Sequence, residues 1–103
     1  MDAAACGGVR LVTGDIATLA ESHLPPAIDV CLLDVDLEIP TYEGLLQLVP
    51  RLAPGGIALV DDCDPDSDYA GARVGYRRLV SEHSLPEEYF MTMGIVHAPS
   101  TSA

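Results

Sequence analysis

"IDVCLLDVD" (Ile28–Asp36) is the stretch on which the fold turns. It is almost continuously apolar and β-branched at its start, then reaches Asp34 and Asp36 with only Val35 between them. An uninterrupted apolar run of this length predicts a strand covered on both faces, as in a parallel sheet. Alternate residues of a strand share a face, so a regular strand would present Asp34 and Asp36 on the same side. Two carboxylates at the end of a buried strand need a reason.

The flanking segments supply a context. "VRLVTGD" (Val9–Asp15) predicts a short strand ending at Gly14, and "IATLAESHL" (Ile16–Leu24) a short helix stopped by Pro25–Pro26. Downstream, "PTYEGLLQLVPRL" reads as a helix with Thr41 as N-cap and an apolar face of Leu45, Leu46, Leu48, Val49 and Leu52, kinked or ended by Pro50. "APGG" is a turn, "IALVDD" (Ile57–Asp62) a third buried strand, and "CDPDSDYAG" a polar loop. "ARVGYRRLVSEH" (Ala72–His83) has helical periodicity, and "EEYFMTMGIVHAP" holds one or two strands with "MG" as a turn between them. The order β-α-β-α-β-α-β(β) predicts an α/β fold with a mainly parallel sheet. Ligands of such sheets sit beyond the carboxyl ends of the strands. Three predicted strands end there in acid: Asp15, Asp34 with Asp36, and Asp61 with Asp62.

At 103 residues the chain is one domain, spanning 9–98, with residues 1–8 expected to be flexible and 99–103 a disordered tail. Sixteen Asp and Glu stand against five Arg, there is no Lys, and the net charge is −11. That balance disfavours nucleic-acid and anionic-membrane partners. No apolar run of ~18 residues predicts a transmembrane helix. "MDAAACGG" lacks the basic and apolar regions of a secretory signal, so the expected location is cytoplasmic. Cys6, Cys31 and Cys63 form no CxxC and suggest neither a zinc knuckle nor a disulfide framework.

If the strands ending at Asp36 and Asp62 are neighbours, four carboxylates converge. Their mutual repulsion is relieved by a hard divalent cation with a preference for oxygen, and a carboxylate left free can act as a general base. Taken singly, each Asp is more simply a strand-end cap or loop acid. Two metal-dependent readings of the DxD pair compete. A haloacid-dehalogenase-type phosphatase carries DxDx(T/V), but the fifth position here is Glu38 and the chain lacks the Lys those enzymes use. A DxD glycosyltransferase or phosphotransferase domain remains an alternative on a short motif.

The segment "LLDVDLEIPTYEGLLQLVPRLAPGGIALVDD" (Leu32–Asp62), followed by Gly71, Ala72 and Arg73, resembles the macrocin O-methyltransferase (TylF-type) family of class I S-adenosylmethionine-dependent methyltransferases. The shared pattern runs through Asp34, Asp36, Pro40, Thr41, Pro50, Arg51, Pro54, Gly55, Gly56, Asp61 and Asp62. The resemblance implies a Rossmann-like class I methyltransferase fold and S-adenosylmethionine and Mg²⁺ as cofactors. It implies Asp34, Asp61 and Asp62 as metal ligands and Asp36 as the base that deprotonates a sugar or small-molecule hydroxyl. It further implies contacts of Asp15, Ile16 and Asp34 with the methyl donor. Glu38 stands in place of the family's aromatic residue and Ile39 in place of its Glu, so acceptor contacts differ.

The resemblance also implies an N-terminal truncation: strands 1 and 2 and the glycine-rich loop have no counterpart before Val9. In the class I sheet order 3-2-1-4-5-7-6, this leaves "VRLVTGD" without its neighbour and "IDVCLLDVD" with an unpaired apolar edge. Three states follow: a partial enzyme, a chain completed by another chain or a second copy through that edge, or a rearranged, non-catalytic assembly module. Among other residues, His23, His83 and His97 lack ligand spacing, Met91 and Met93 are expected in the core of a strand, and Tyr69 and Tyr76 are candidate pocket residues. Arg73, Arg77 and Arg78 fall on one helix, solvated or meeting an anionic substrate.

Overall fold

The computed structural model describes residues 9–66 and 70–99. The expectations for residues 1–8, Tyr69 and residues 100–103 lie outside those residues. Strand β1 (Ile28–Leu33) leads into helix α1 (Glu38–Leu48), a 3-10 turn (Val49–Arg51) and strand β2 (Leu52–Val60). Helix α2 (Gly71–Glu82) and the hairpin β3 (Glu88–Phe90) and β4 (Met93–His97) complete the fold. The sheet order is β1-β2-β4-β3.

The sheet is mixed and not mainly parallel: β1 and β2 pair in parallel, whereas β4 runs antiparallel to both β2 and β3. The physical reason is the short turn at Met91–Thr92, which folds β4 straight back between β2 and β3. Met91 adopts a φ of 57° in that turn and is 83% exposed, so it is a turn residue and not a core one. The expected strand at Val9–Asp15 does not form, and the expected helix over Ile16–Leu24 is reduced to a 3-10 turn at Glu21–His23. No strand lies beside Val9–Val12 among the described residues, and Leu11 is left 72% exposed.

Helix α1 starts earlier than expected. Leu37 is its N-cap, and Thr41 sits within the helix, fully buried, donating its backbone N–H to the Leu37 carbonyl at 3.1 Å. Pro40 falls in the first turn, where its missing N–H costs nothing. "APGG" is an irregular part of β2: Ile28 pairs with Leu52 but Val30 pairs with Ile57. Helix α2 buries Ala72, Gly75, Tyr76, Leu79 and Val80, the i, i+3, i+4, i+7, i+8 stripe of a core-facing helix.

Both helices cover one face of the sheet. On that face Leu33 reaches Gly44 of α1, and Tyr76 of α2 packs on Gly94 of β4. The Tyr76 hydroxyl lies within hydrogen-bond reach of the Glu88 carbonyl (2.7 Å) and the Ile95 carbonyl (3.0 Å), and accepts from the Glu88 N–H. Tyr76 is therefore a buried clamp on the hairpin and not a pocket residue. Among the described residues the opposite face is bare. Cross-strand neighbours share a face, so Val30 and Leu32 line up with Ile57, Leu59 and Ile95, and Phe90 with Met93. Val30, Leu32 and Phe90 are 63%, 62% and 60% exposed. The expectation that β1 is covered on both faces fails for this reason.

Candidate functional site

The acidic edge is assembled by strand pairing. The last β1 residue, Leu33, sits beside Val60 of β2, and the Asp61 N–H donates to the Leu33 carbonyl at 3.0 Å. This carries the two strands out of the sheet side by side, with Asp34 following one and Asp61 the other. The chain then turns sharply in both places. Asp36 (φ 60°) and Asp62 (φ 61°) are both left-handed, a conformation that Asp and Asn tolerate better than most residues. The alternation of a regular strand therefore does not continue to Asp36. Helix α2 starts against this turn: a Cβ at Gly71 would lie 2.9 Å from the Asp36 carbonyl oxygen and 2.9 Å from the Glu38 nitrogen.

Asp34 is the electrostatic centre of the group. Its carboxyl is raised above the usual carboxylate range, first by the Asp61 charge, then by partial desolvation and by Asp36, with hydrogen-bonding contact to both neighbours. The fold thus brings Asp34, Asp36 and Asp61 together. Asp62 is next in the chain after Asp61. No Arg or His forms an ion pair with any of these acids among the described residues. Oxygen-only donors that repel one another suit a hard divalent cation in kind. They are not drawn into a cage: among the described residues no group of three or more His, Cys, Asp or Glu stands in a metal-holding arrangement.

The raised carboxyl has a consequence for stability. The folded state holds the Asp34 proton more tightly than the unfolded chain does, so this group favours folding below its ordinary value of 3.8 and loses that contribution as pH rises through the raised value. Asp34→Asn is therefore expected to raise the melting temperature at neutral pH. The gain should shrink as pH falls toward 3.8, and paired thermal melts across that range check it.

Asp15 and Ile16 lie on the flank of α1. Asp15 is exposed, and its carboxylate accepts the Ala17 N–H at 2.9 Å. Ile16 packs at Gly44, and its carbonyl accepts from the Gln47 side chain at 2.7 Å. Gln47 also holds the Leu19 carbonyl at 3.0 Å, so this one side chain ties the segment to α1. The histidines stand apart: His83 contacts the Leu79 carbonyl, and His97 pairs with Glu88 at 2.7 Å. Two features of the site region escaped the sequence reading: the left-handed turns at Asp36 and Asp62, and the close seating of Gly71 on the first. "GAR" after a polar loop was the available signal for the second.

No helix among the described residues is long and apolar enough to cross a membrane. No known family profile and no curated protein matches the chain. Among solved structures, the chain is similar to the apo form of CalS11, a TDP-rhamnose 3′-O-methyltransferase of calicheamicin biosynthesis. The two are 22% identical with a TM-score of 0.66, over 84% of this chain and 39% of that one. The chain thus has the fold of part of a methyltransferase, and it spans well under half the length of that relative.

Proposed function

We propose that the chain is the acceptor-side part of an S-adenosylmethionine-dependent, Mg²⁺-dependent O-methyltransferase of the macrocin (TylF) type, acting on a sugar or small-molecule hydroxyl. The observation that carries this reading is the convergence of Asp34, Asp36 and Asp61 where two adjacent parallel strands leave the sheet. The fold likeness to an O-methyltransferase supports it. Asp34, Asp61 and Asp62 would hold the metal, and Asp34 with Asp15 and Ile16 would border the methyl donor. Bound there, Mg²⁺ supplies positive charge beside the acceptor hydroxyl and S-adenosylmethionine supplies the methyl group. Asp36 accepts the hydroxyl proton on its carboxylate as the oxygen attacks. The turn at Asp36, seated against α2 at Gly71, would hold this carboxylate beside Asp34.

The donor's other contacts would come from a βα unit added at the free edge of β1. Right-handed crossovers put α1 and α2 on one face, and strands added outward from β1 would place their helices on the bare one. Mg²⁺ titration followed by calorimetry tests the metal. Binding should be lost in Asp34→Asn and Asp61→Asn, and binding that survives the double variant overturns the assignment. Binding of a nucleotide sugar but not of S-adenosylmethionine would instead favour a DxD glycosyltransferase.

A second reading, a non-catalytic assembly module of the same fold, is favoured by the apolar face that the described residues leave exposed at Val30, Leu32 and Phe90. Mg²⁺ binding without any methyl-donor binding, even with a completing chain present, selects it.

A further inference from the structure

Three of the five arginines stand together on the outward side of α2. Arg73, Arg77 and Arg78 line a groove of about 520 Å³ that runs from Pro65 and Ala70 to Leu85 and Glu87. In a chain of net charge −11 without lysine, this concentrates most of the positive charge in one place. The other two arginines lie elsewhere: Arg51 pairs with Glu21, and Arg10 is exposed near His23.

The three guanidinium groups are held in different ways. Arg73 lies over the Tyr89 ring, 5.8 Å from its centroid, and its buried Nε has no hydrogen-bond partner among the described residues. Arg77 pairs with Glu87 at 3.3 Å, and Arg78 pairs with Glu82 at 3.3 Å while stacking on Tyr42 at 3.8 Å. Arg73 and Arg77 are i,i+4 neighbours on one helix face. The ion pairs are about half exposed, and exposed pairs of this kind contribute only about 0–1 kcal/mol. A dianion entering the groove can therefore recruit Arg77 and Arg78 at small cost. A dianion seated against Arg73 would also offer an acceptor to its Nε, which has none among the described residues. Guanidinium forks match phosphate oxygens in pairs. Val74, Val80 and Leu85 add apolar wall.

We propose that this groove is a binding site for a phosphate or diphosphate group, held by Arg73, Arg77 and Arg78. It adjoins the loop after Asp62 through Pro65 but needs neither metal nor methyl donor, so it stands or falls separately from the methyl-transfer reading. Pyrophosphate titrated into ¹⁵N-labelled chain at low salt tests it, with a chelator present to exclude metal-bridged binding at the acidic edge. Amide shifts are expected over Ala70–Ser81 and Leu85–Glu87. Arg73→Gln should weaken binding by roughly tenfold or more, the size of one charged hydrogen bond. Glu87→Gln, which frees Arg77, should strengthen it. The unliganded spectra of the variants report whether each still folds.

Inorganic phosphate and a nucleoside diphosphate form parallel arms. Tighter binding of the nucleoside diphosphate assigns an organic phosphate, and equal binding of pyrophosphate assigns the free oxyanion. Shifts confined to the acidic edge, an unchanged affinity in folded Arg73→Gln, or no saturable binding would overturn the proposal.

Discussion

Replacing Gly75 by valine is expected to unfold the domain at room temperature. A Cβ at this position would lie 2.6 Å from the Glu38 carbonyl oxygen, 2.9 Å from the Thr41 Cβ and 3.1 Å from the Tyr42 nitrogen. Two of those three atoms are backbone of α1, so no rotamer change relieves the contact. The helices cannot separate cheaply, because Gly71 and Gly75, one turn apart on α2, both seat against the start of α1. Overpacking of a well-filled interior costs about 1–3 kcal/mol even where side chains can shift, and more where backbone must. A domain of this size has only about 5–15 kcal/mol in hand, and the bare sheet face places this one toward the low end. Even alanine should cost a large part of that.

Urea unfolding followed by circular dichroism measures the effect, with Val74→Ala on the exposed side of α2 as the control. A native midpoint for Gly75→Val would mean that the helices do not cross as closely as described. Because the same crossing presses on Asp36 and Glu38, any partial opening should also disturb the acidic edge.

The order of elements from Ile28 onward was legible in the sequence because each is set by local pattern. The α2 stripe, the stop at Pro50 and the apolar run of β1 all follow from spacing within one segment. The failures share a different cause. "VRLVTGD" has strand composition, but a strand also needs a neighbour to accept its hydrogen bonds, and none lies beside it among the described residues. The bare face was hidden for the same reason. Val30 and Leu32 look like interior residues, and only the placement of both helices on one side shows that they are not.

The mixed sheet could not be read from element order, because it depends on where β4 inserts. At the candidate site, the residue identities were legible but their arrangement was not. Asp34 does meet Asp61, where the paired strands end, but Asp36 reaches Asp34 through a left-handed turn and not through strand alternation.

That turn decides how the proposed base should be tested. Asp36→Asn is expected to lower methyl transfer by about 10²–10⁴-fold, the usual worth of a positioned general base, when assayed with the acceptor, methyl donor and completing partner present. Asparagine is the informative replacement because it tolerates the left-handed φ of 60° and keeps the side-chain shape. Alanine would confuse two effects: it removes the carboxylate and also strains the backbone by about 1–2 kcal/mol at the point where α2 is seated. Asp36→Asn should therefore melt no lower than the parent chain, whereas Asp36→Ala should melt lower.

The same substitution also separates base from ligand. If Asp34, Asp61 and Asp62 hold the metal, Asp36→Asn should retain Mg²⁺ binding while losing rate, and Asp34→Asn should lose both. Removing the Asp36 charge also relieves one of the charges that raise the Asp34 carboxyl, so the stability gained by Asp34→Asn should be smaller in the Asp36→Asn background. A rate unchanged by Asp36→Asn would remove Asp36 from the chemistry and leave it as the turn residue that aligns α1 and α2.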